Sequence, residues 1–263
     1  MEGAGQLLPA AVRDLTLRLT QRGAYRPPDL EERAAVLRAG AALASAPQDA
    51  GARDALERVG LAVDVMAGAV GHRYLVARSD PDSERAWGLL ALPLDGPARL
   101  LVEVPHPSSD HGTEEVGLAV LAAAPDAVYL QAGAHRRAGG GRADVAHRED
   151  SLFHALAVDL SVRLRVPQLQ LHGFGARADI AEDVVLASGP ADPEPPVRAL
   201  ADRLEEHGVS VCRAWSRRCP GLEGVTNVQA AAAARAGLPF AHVEMSARIR
   251  RSPDALAGAL AAL

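Results

Sequence analysis

The stretch Val104-Pro105-His106-Pro107-Ser108-Ser109-Asp110-His111-Gly112-Thr113-Glu114-Glu115 constrains the fold of this chain more than any other. An apolar run over residues 98–104 ends at two prolines, which a central strand does not tolerate. Thr113 is then expected to cap a helix, with Glu114 and Glu115 in its first turn, where negative charge is favoured. Strand, tight turn and helix make one βα step of an open α/β sheet, and such sheets bind ligands beyond the carboxyl ends of their strands. His106 and Asp110 fall in that turn.

The rest of the chain repeats the step. Strands are expected at 99–104, 127–132, 168–171, 184–187, 209–212 and 240–245. Helices are expected near 113–124, 151–165, 195–207, 226–236 and 253–263. This alternation predicts a three-layer α/β/α sandwich around a mostly parallel sheet. Ahead of it, residues 1–22, 29–46 and 48–60 carry helical patterning, and 61–65, 74–78 and 87–92 read as short strands. The expected organisation is therefore an accessory segment of helices and short strands over 1–97 and an α/β domain over 98–263.

Composition removes several functions. All 28 basic residues are arginines, against 33 acidic ones, for a net charge of −5. That balance disfavours nucleic acid or an anionic membrane as partner. Without lysine there is no Schiff-base lysine and no P-loop lysine. No apolar run is long enough to span a bilayer, and the first 22 residues have no uninterrupted apolar core of a signal peptide, so the expected compartment is the cytoplasm. Cys212 and Cys219 are too few for a four-sulfur zinc site and are expected as free thiols. No Gly-x-Ser-x-Gly elbow is present, and Gly139-Gly140-Gly141 opens no dinucleotide-binding helix.

Three polar residues end apolar runs: His106, His172 in Gln170-Leu171-His172-Gly173-Phe174-Gly175, and Glu244 in His242-Val243-Glu244. Each alone reads as a turn or edge residue. Together they stand at one edge of a parallel sheet. Gly173 and Gly175 are expected to let the chain turn away from a crowded site. Two imidazoles and a carboxylate around a zinc ion, with a separate glutamate to take a proton from water, is hydrolase chemistry. Asp110, Glu114 and Glu115 all lie close enough to His106 to be the third ligand. Arg136, Arg137, His135 and His147 follow another strand end and should border the same cleft. An arginine there pairs with a substrate carboxylate, and a histidine with a scissile carbonyl.

The order histidine, acid, histidine, then glutamate some seventy residues later resembles the zinc carboxypeptidase superfamily. The nearest branches are the N-formylglutamate amidohydrolases and poly-γ-glutamate hydrolases. Pro105-His106-Pro107-Ser108-Ser109-Asp110, Leu171-His172-Gly173-Phe174 and His242-Val243-Glu244-Met245-Ser246-Ala247-Arg248 carry the resemblance. It implies His106, Asp110 and His172 as ligands of one Zn2+ per chain and Glu244 as general base. The superfamily usually places a glutamate closer to the first histidine, where this chain has Asp110 four positions on. The implied substrate is a small acidic amide or peptide. The competing expectation is an inactive ligand-binding protein that keeps the fold, and whether Glu244 shares a cleft with the ligands separates the two.

Overall fold

The computed structural model describes residues 7–177 and 179–263. Among them nine strands form one sheet: β1 (Leu61–Ala67), β2 (Arg73–Ser79), β3 (Gly88–Pro93), β4 (Leu101–Val104), β5 (Val128–Ala132), β6 (Gln168–Phe174), β7 (Val184–Ala187), β8 (Val211–Arg213) and β9 (Phe240–Ser246). Their order across the sheet is β1-β2-β3-β5-β4-β6-β9-β7-β8. The four central strands, β5, β4, β6 and β9, are parallel. The flanks are antiparallel where they join, β3 to β5 and β7 to β9. The strands of residues 1–97 thus continue the same sheet rather than forming one of their own.

Helices cover both faces. Thr113–Ala123, Pro195–Glu206 and Asp254–Ala261 pack with Leu8–Arg18 on one side, against Val102, Val104, Leu169, Leu171 and Val243. Leu30–Ser45, Ala50–Arg58 and Leu152–Leu164 pack on the other, against Leu101, Val128 and Leu130. Alternate residues of β4 serve opposite faces, as the two-residue period of a strand requires. The expected three-layer sandwich is the observed one. The first six residues of the helix expected over 1–22 lie outside the described residues.

Local chemistry sets the helix starts. Asp29 and Glu32 form a reciprocal capping box on Leu30–Ser45. Ser151 caps Leu152–Leu164, and Asn227 caps Val228–Ala236. The expectation for Thr113 is corrected: the cap position is Gly112, with φ 87°, and Thr113 is the first helical residue. The turn forces this. Ser109 and Asp110 both donate backbone N–H groups to His106 O, and the chain can re-enter the helix only through a left-handed residue.

The cysteines are also corrected. Cys212 on β8 and Cys219 are joined as a disulfide, with Cα atoms 6.2 Å apart. The chain after β8 turns back at once, Ser216 N–H bonding Arg213 O, and this returns Cys219 to its partner. Both sulfurs are buried with Phe174, Ile180, Val185 and Leu222. No helix among the described residues is long and apolar enough to cross a membrane.

Leu101 is fully buried on β4 under the helix Leu152–Leu164. Leu101→Ala is expected to cost about 2–5 kcal/mol in urea unfolding, because a packed site collapses only partly around the lost atoms. A loss below about 1 kcal/mol would contradict this core placement.

Candidate metal centre

The strand order reverses at β4: the chain runs from β4 to β5 on one side and returns to β6 on the other. A crevice opens at such a reversal. His106 lies two residues past the end of β4, and His172 lies on β6. Register brings the remaining groups alongside. Glu103 pairs with Gln170 and Gln170 with His242, while His172 pairs with Glu244. All of them project from the sheet face that carries Leu101, so a face apolar at its amino end turns polar at its carboxyl end.

His106, Asp110 and His172 are 1%, 7% and 4% exposed, and their candidate ligand atoms lie within 4.8 Å of one another. Asp110 Oδ2 is 3.5 Å from His106 Nδ1 and 3.3 Å from His172 Nδ1. The other nitrogen of each ring is engaged elsewhere. His106 Nε2 is 2.8 Å from Asp144 Oδ1, and His172 Nε2 is 2.7 Å from Gln170 Oε1. Asp110, Asp144 and the Gln170 oxygen all only accept. The nearer acceptor of each ring is the one on Nε2, at 2.8 and 2.7 Å against 3.5 and 3.3 Å to Asp110. The distances therefore favour a proton on Nε2 of both rings, with Nδ1 turned toward Asp110.

Three observations fit a metal ion to this group. His106 Nδ1 is buried without a hydrogen-bond partner. Two ligands of a tetrahedral ion, each at about 2.0–2.1 Å, stand roughly 3.3–3.4 Å apart, close to the two carboxylate-to-imidazole separations. Asp144 supports His106 from behind in the way ligating histidines are commonly held. Glu114, the rival ligand, instead accepts from Gly112 N–H at 3.2 Å, and Glu115 pairs with Arg13.

Electrostatics follow from these contacts. Burial pushes the Asp110 carboxyl up, but the two histidines outweigh it and hold the group well below the usual range. Asp144 behaves alike, burial being outweighed by His106, His147 and Arg136. Burial lowers both histidines. Two carboxylates reverse this for His106, whereas His172, with His242 against it, falls to about 4.

Glu244 lines the same cleft as the trio, a space of about 480 Å³. Its Oε1 is 3.7 Å from His242 Nε2, and its Oε2 is buried without a partner. Burial raises its pKa, but His242 and His172 outweigh that, so it is ionised. The His242 ring lies against that of His172, centroids 4.4 Å apart and the planes tilted by 40°. Arg136 and His147 also border the cleft, both bonded to Asp144, at 2.9 and 3.2 Å. Arg137 is exposed and His135 is buried beneath the turn, accepting from Arg137 N–H, and neither lines the cleft. The expected turn at Gly173 is corrected: it stays within β6, paired with Met245. Its missing side chain makes room for the Arg250 guanidinium, which donates to His111 O at 2.7 Å.

Sequence reasoning missed Glu103 and Gln170 beneath the trio, and did not join Asn227 and Gln229 to them. Glu103, Gln170 and Gln229 are completely buried, and Asn227 nearly so. The signal was present: central parallel strands read as continuous apolar runs, and a glutamate or glutamine inside one is an exception. Burial pushes Glu103 up to about 8, against a weaker opposing hydrogen bond from Gln170.

No protein-family model matches the sequence, and no curated protein matches it. Solved structures do show similarity in fold. A bacteriophage poly-γ-glutamate hydrolase is 15% identical, over 80% of this chain and 91% of that one, with a TM-score of 0.43. An aspartoacylase family protein from Mesorhizobium loti is 12% identical over 78% and 67%, with a TM-score of 0.43. The succinylglutamate desuccinylase of Chromobacterium violaceum is 11% identical over 79% and 70%, with a TM-score of 0.41. At these values the likeness carries nothing further, and the chemistry is read from the side chains.

Two outcomes are expected. Asp144→Asn weakens the acceptor behind His106 and should lower zinc affinity about 10–100-fold in chelator competition, with the fold intact by circular dichroism. Glu103 keeps its proton when folded up to pH about 8, whereas in the unfolded chain it ionises near 4.5. Wild-type stability should therefore fall relative to Glu103→Gln as pH rises from 4.5 to 8, by several kcal/mol in order of magnitude, and level off above. Parallel urea-unfolding curves of the two proteins across that window would contradict a buried neutral carboxyl.

Proposed function

We propose that this chain is a metal-dependent hydrolase that cleaves an amide or peptide bond in a small acidic substrate, with zinc as the fitting ion. The observation that carries the reading is the convergence of His106, Asp110 and His172 on one point, with Glu244 facing the same cleft. Two imidazole nitrogens and one carboxylate oxygen suit a catalytic zinc, leaving a position open. A zinc ion held there supplies a Lewis acid for the carbonyl and water acidified toward neutral pH.

The protein's own groups do the rest. Glu244 is ionised and has one oxygen without a partner, so it can take a proton from the attacking water and deliver it to the departing nitrogen. It sits on a strand, which holds it at fixed distance from the trio. His147, half-exposed at the rim, is placed to donate to the oxygen of the tetrahedral intermediate. Arg136 keeps Asp144 ionised and presents a guanidinium to a substrate carboxylate. Arg137 stands outside the cleft, so the single arginine of this pair that serves the substrate is Arg136. The competing idea of an inactive binding protein gives no account of a carboxylate base beside an orphaned ligand nitrogen.

The disulfide bears on compartment. Such bonds persist where the surroundings are oxidising, which argues against the cytoplasmic placement expected from the sequence.

His106→Ala and His172→Ala are each expected to lose bound zinc by elemental analysis. Glu244→Gln should keep the metal and lose about 10²–10⁴ in kcat toward N-acyl amino acids or γ-glutamyl peptides. A Glu244→Gln enzyme with full turnover would remove the assigned base. Zinc retained by both histidine variants would remove the site.

A further inference from the structure

Gln170 is completely buried, and all four hydrogen-bonding positions of its amide are used. Its Nε2 donates to Glu103 Oε2 at 2.7 Å and to Gln229 Oε1 at 3.3 Å. Its Oε1 accepts from Asn227 Nδ2 and lies 2.7 Å from His172 Nε2. The two neighbouring amides cannot turn over either, because each is fixed by a main-chain group whose polarity is unambiguous. Asn227 Oδ1 accepts from Ala230 N–H at 3.0 Å, which leaves its Nδ2 for Gln170. Gln229 Nε2 donates to Val145 O at 2.9 Å, which leaves its Oε1 for Gln170. A reversed Gln170 amide would set N–H against N–H at Asn227 and oxygen against oxygen at Gln229. Two main-chain groups therefore determine which end of the Gln170 amide faces His172.

We propose that Gln170 is a positioning residue, through which the main chain at Ala230 and Val145 draws the His172 proton to Nε2, 2.7 Å from Gln170 Oε1, in preference to Nδ1, 3.3 Å from Asp110 Oδ2, and so leaves Nδ1 to a metal. The inference rests on the hydrolase reading only in naming the ion. The relay has a second consequence. Val145 adjoins Asp144, the acceptor behind His106, and Asn227 ends the cleft wall that begins at Gly221. One buried amide thus ties together the supports of both histidines and the wall that meets the substrate. An unpaired polar atom in such a site costs more than its bond is worth, so the network holds as a unit.

The test uses full-length protein with histidine ring nitrogens labelled. Long-range nitrogen–proton spectra of the metal-free protein report each ring's tautomer, and His172 is assigned by the signal lost in His172→Gln. Wild type should show His172 as the Nε2–H form. Gln170→Met, which fills the space without an acceptor, should show a mixture or the Nδ1–H form, and should bind zinc about 10–100-fold more weakly by chelator competition. A wild-type Nδ1–H form overturns the inference, as does Gln170→Met with unchanged tautomer and zinc affinity. Should Gln170→Met not fold, Asn227→Asp serves in its place. It keeps the helix cap but faces Gln170 with an acceptor, and should shift tautomer and affinity in the same direction. Unchanged values in that variant then overturn the relay. Wild type that binds no zinc would defeat the hydrolase reading separately, and the tautomer comparison would still decide this inference.

Discussion

Asp110 is the charge around which the carboxyl end of the sheet is organised. A carboxylate this buried is costly unless partners meet each of its lone pairs. Here Gly173 N–H donates to it at 3.3 Å, and the two Nδ1 atoms turned toward the same oxygen leave a cation as the partner that would complete its surroundings. That arrangement fixes much else. The turn after β4 must be tight enough to bring Asp110 back over His106, which requires the left-handed Gly112. Residue 173 must stay extended to offer its N–H, and must lack a side chain so that Arg250 can pack against it. The negative potential of Asp110, Asp144 and Glu244 around the imidazoles is what a divalent cation satisfies.

Much of this was legible in the chain. The apolar runs bounded by Pro105, Gly173 and the glycine-ended helices located the strands within a few residues, because buried parallel strands and their covering helices have distinct periods. His106, His172 and Glu244 could be grouped because each closes such a run. What could not be read was anything set by contact across the sheet. Asp144 lies 38 residues from His106 in the chain, yet it is the acceptor behind that ring. The disulfide depends on how sharply the chain returns after β8, which spacing does not reveal. The cap at Gly112 rather than Thr113 follows from the turn, not from helix propensity.

The polar floor beneath the site shows how stability and function trade in this fold. A leucine at 103 would suit a central strand better than a protonated glutamate with one unpartnered oxygen. The same residue pairs with Gln170, which holds His172. A group that weakens the core is thus two hydrogen bonds from a candidate ligand, as expected where local rules are broken at working sites.

The central claim is that two ring nitrogens and one carboxylate oxygen converge to hold a metal. X-ray absorption on the zinc-loaded protein tests it most directly. The account predicts four light-atom ligands at about 2.0–2.1 Å, with multiple-scattering features of two imidazoles. Features of one imidazole or none, or sulfur at about 2.3 Å, would contradict it.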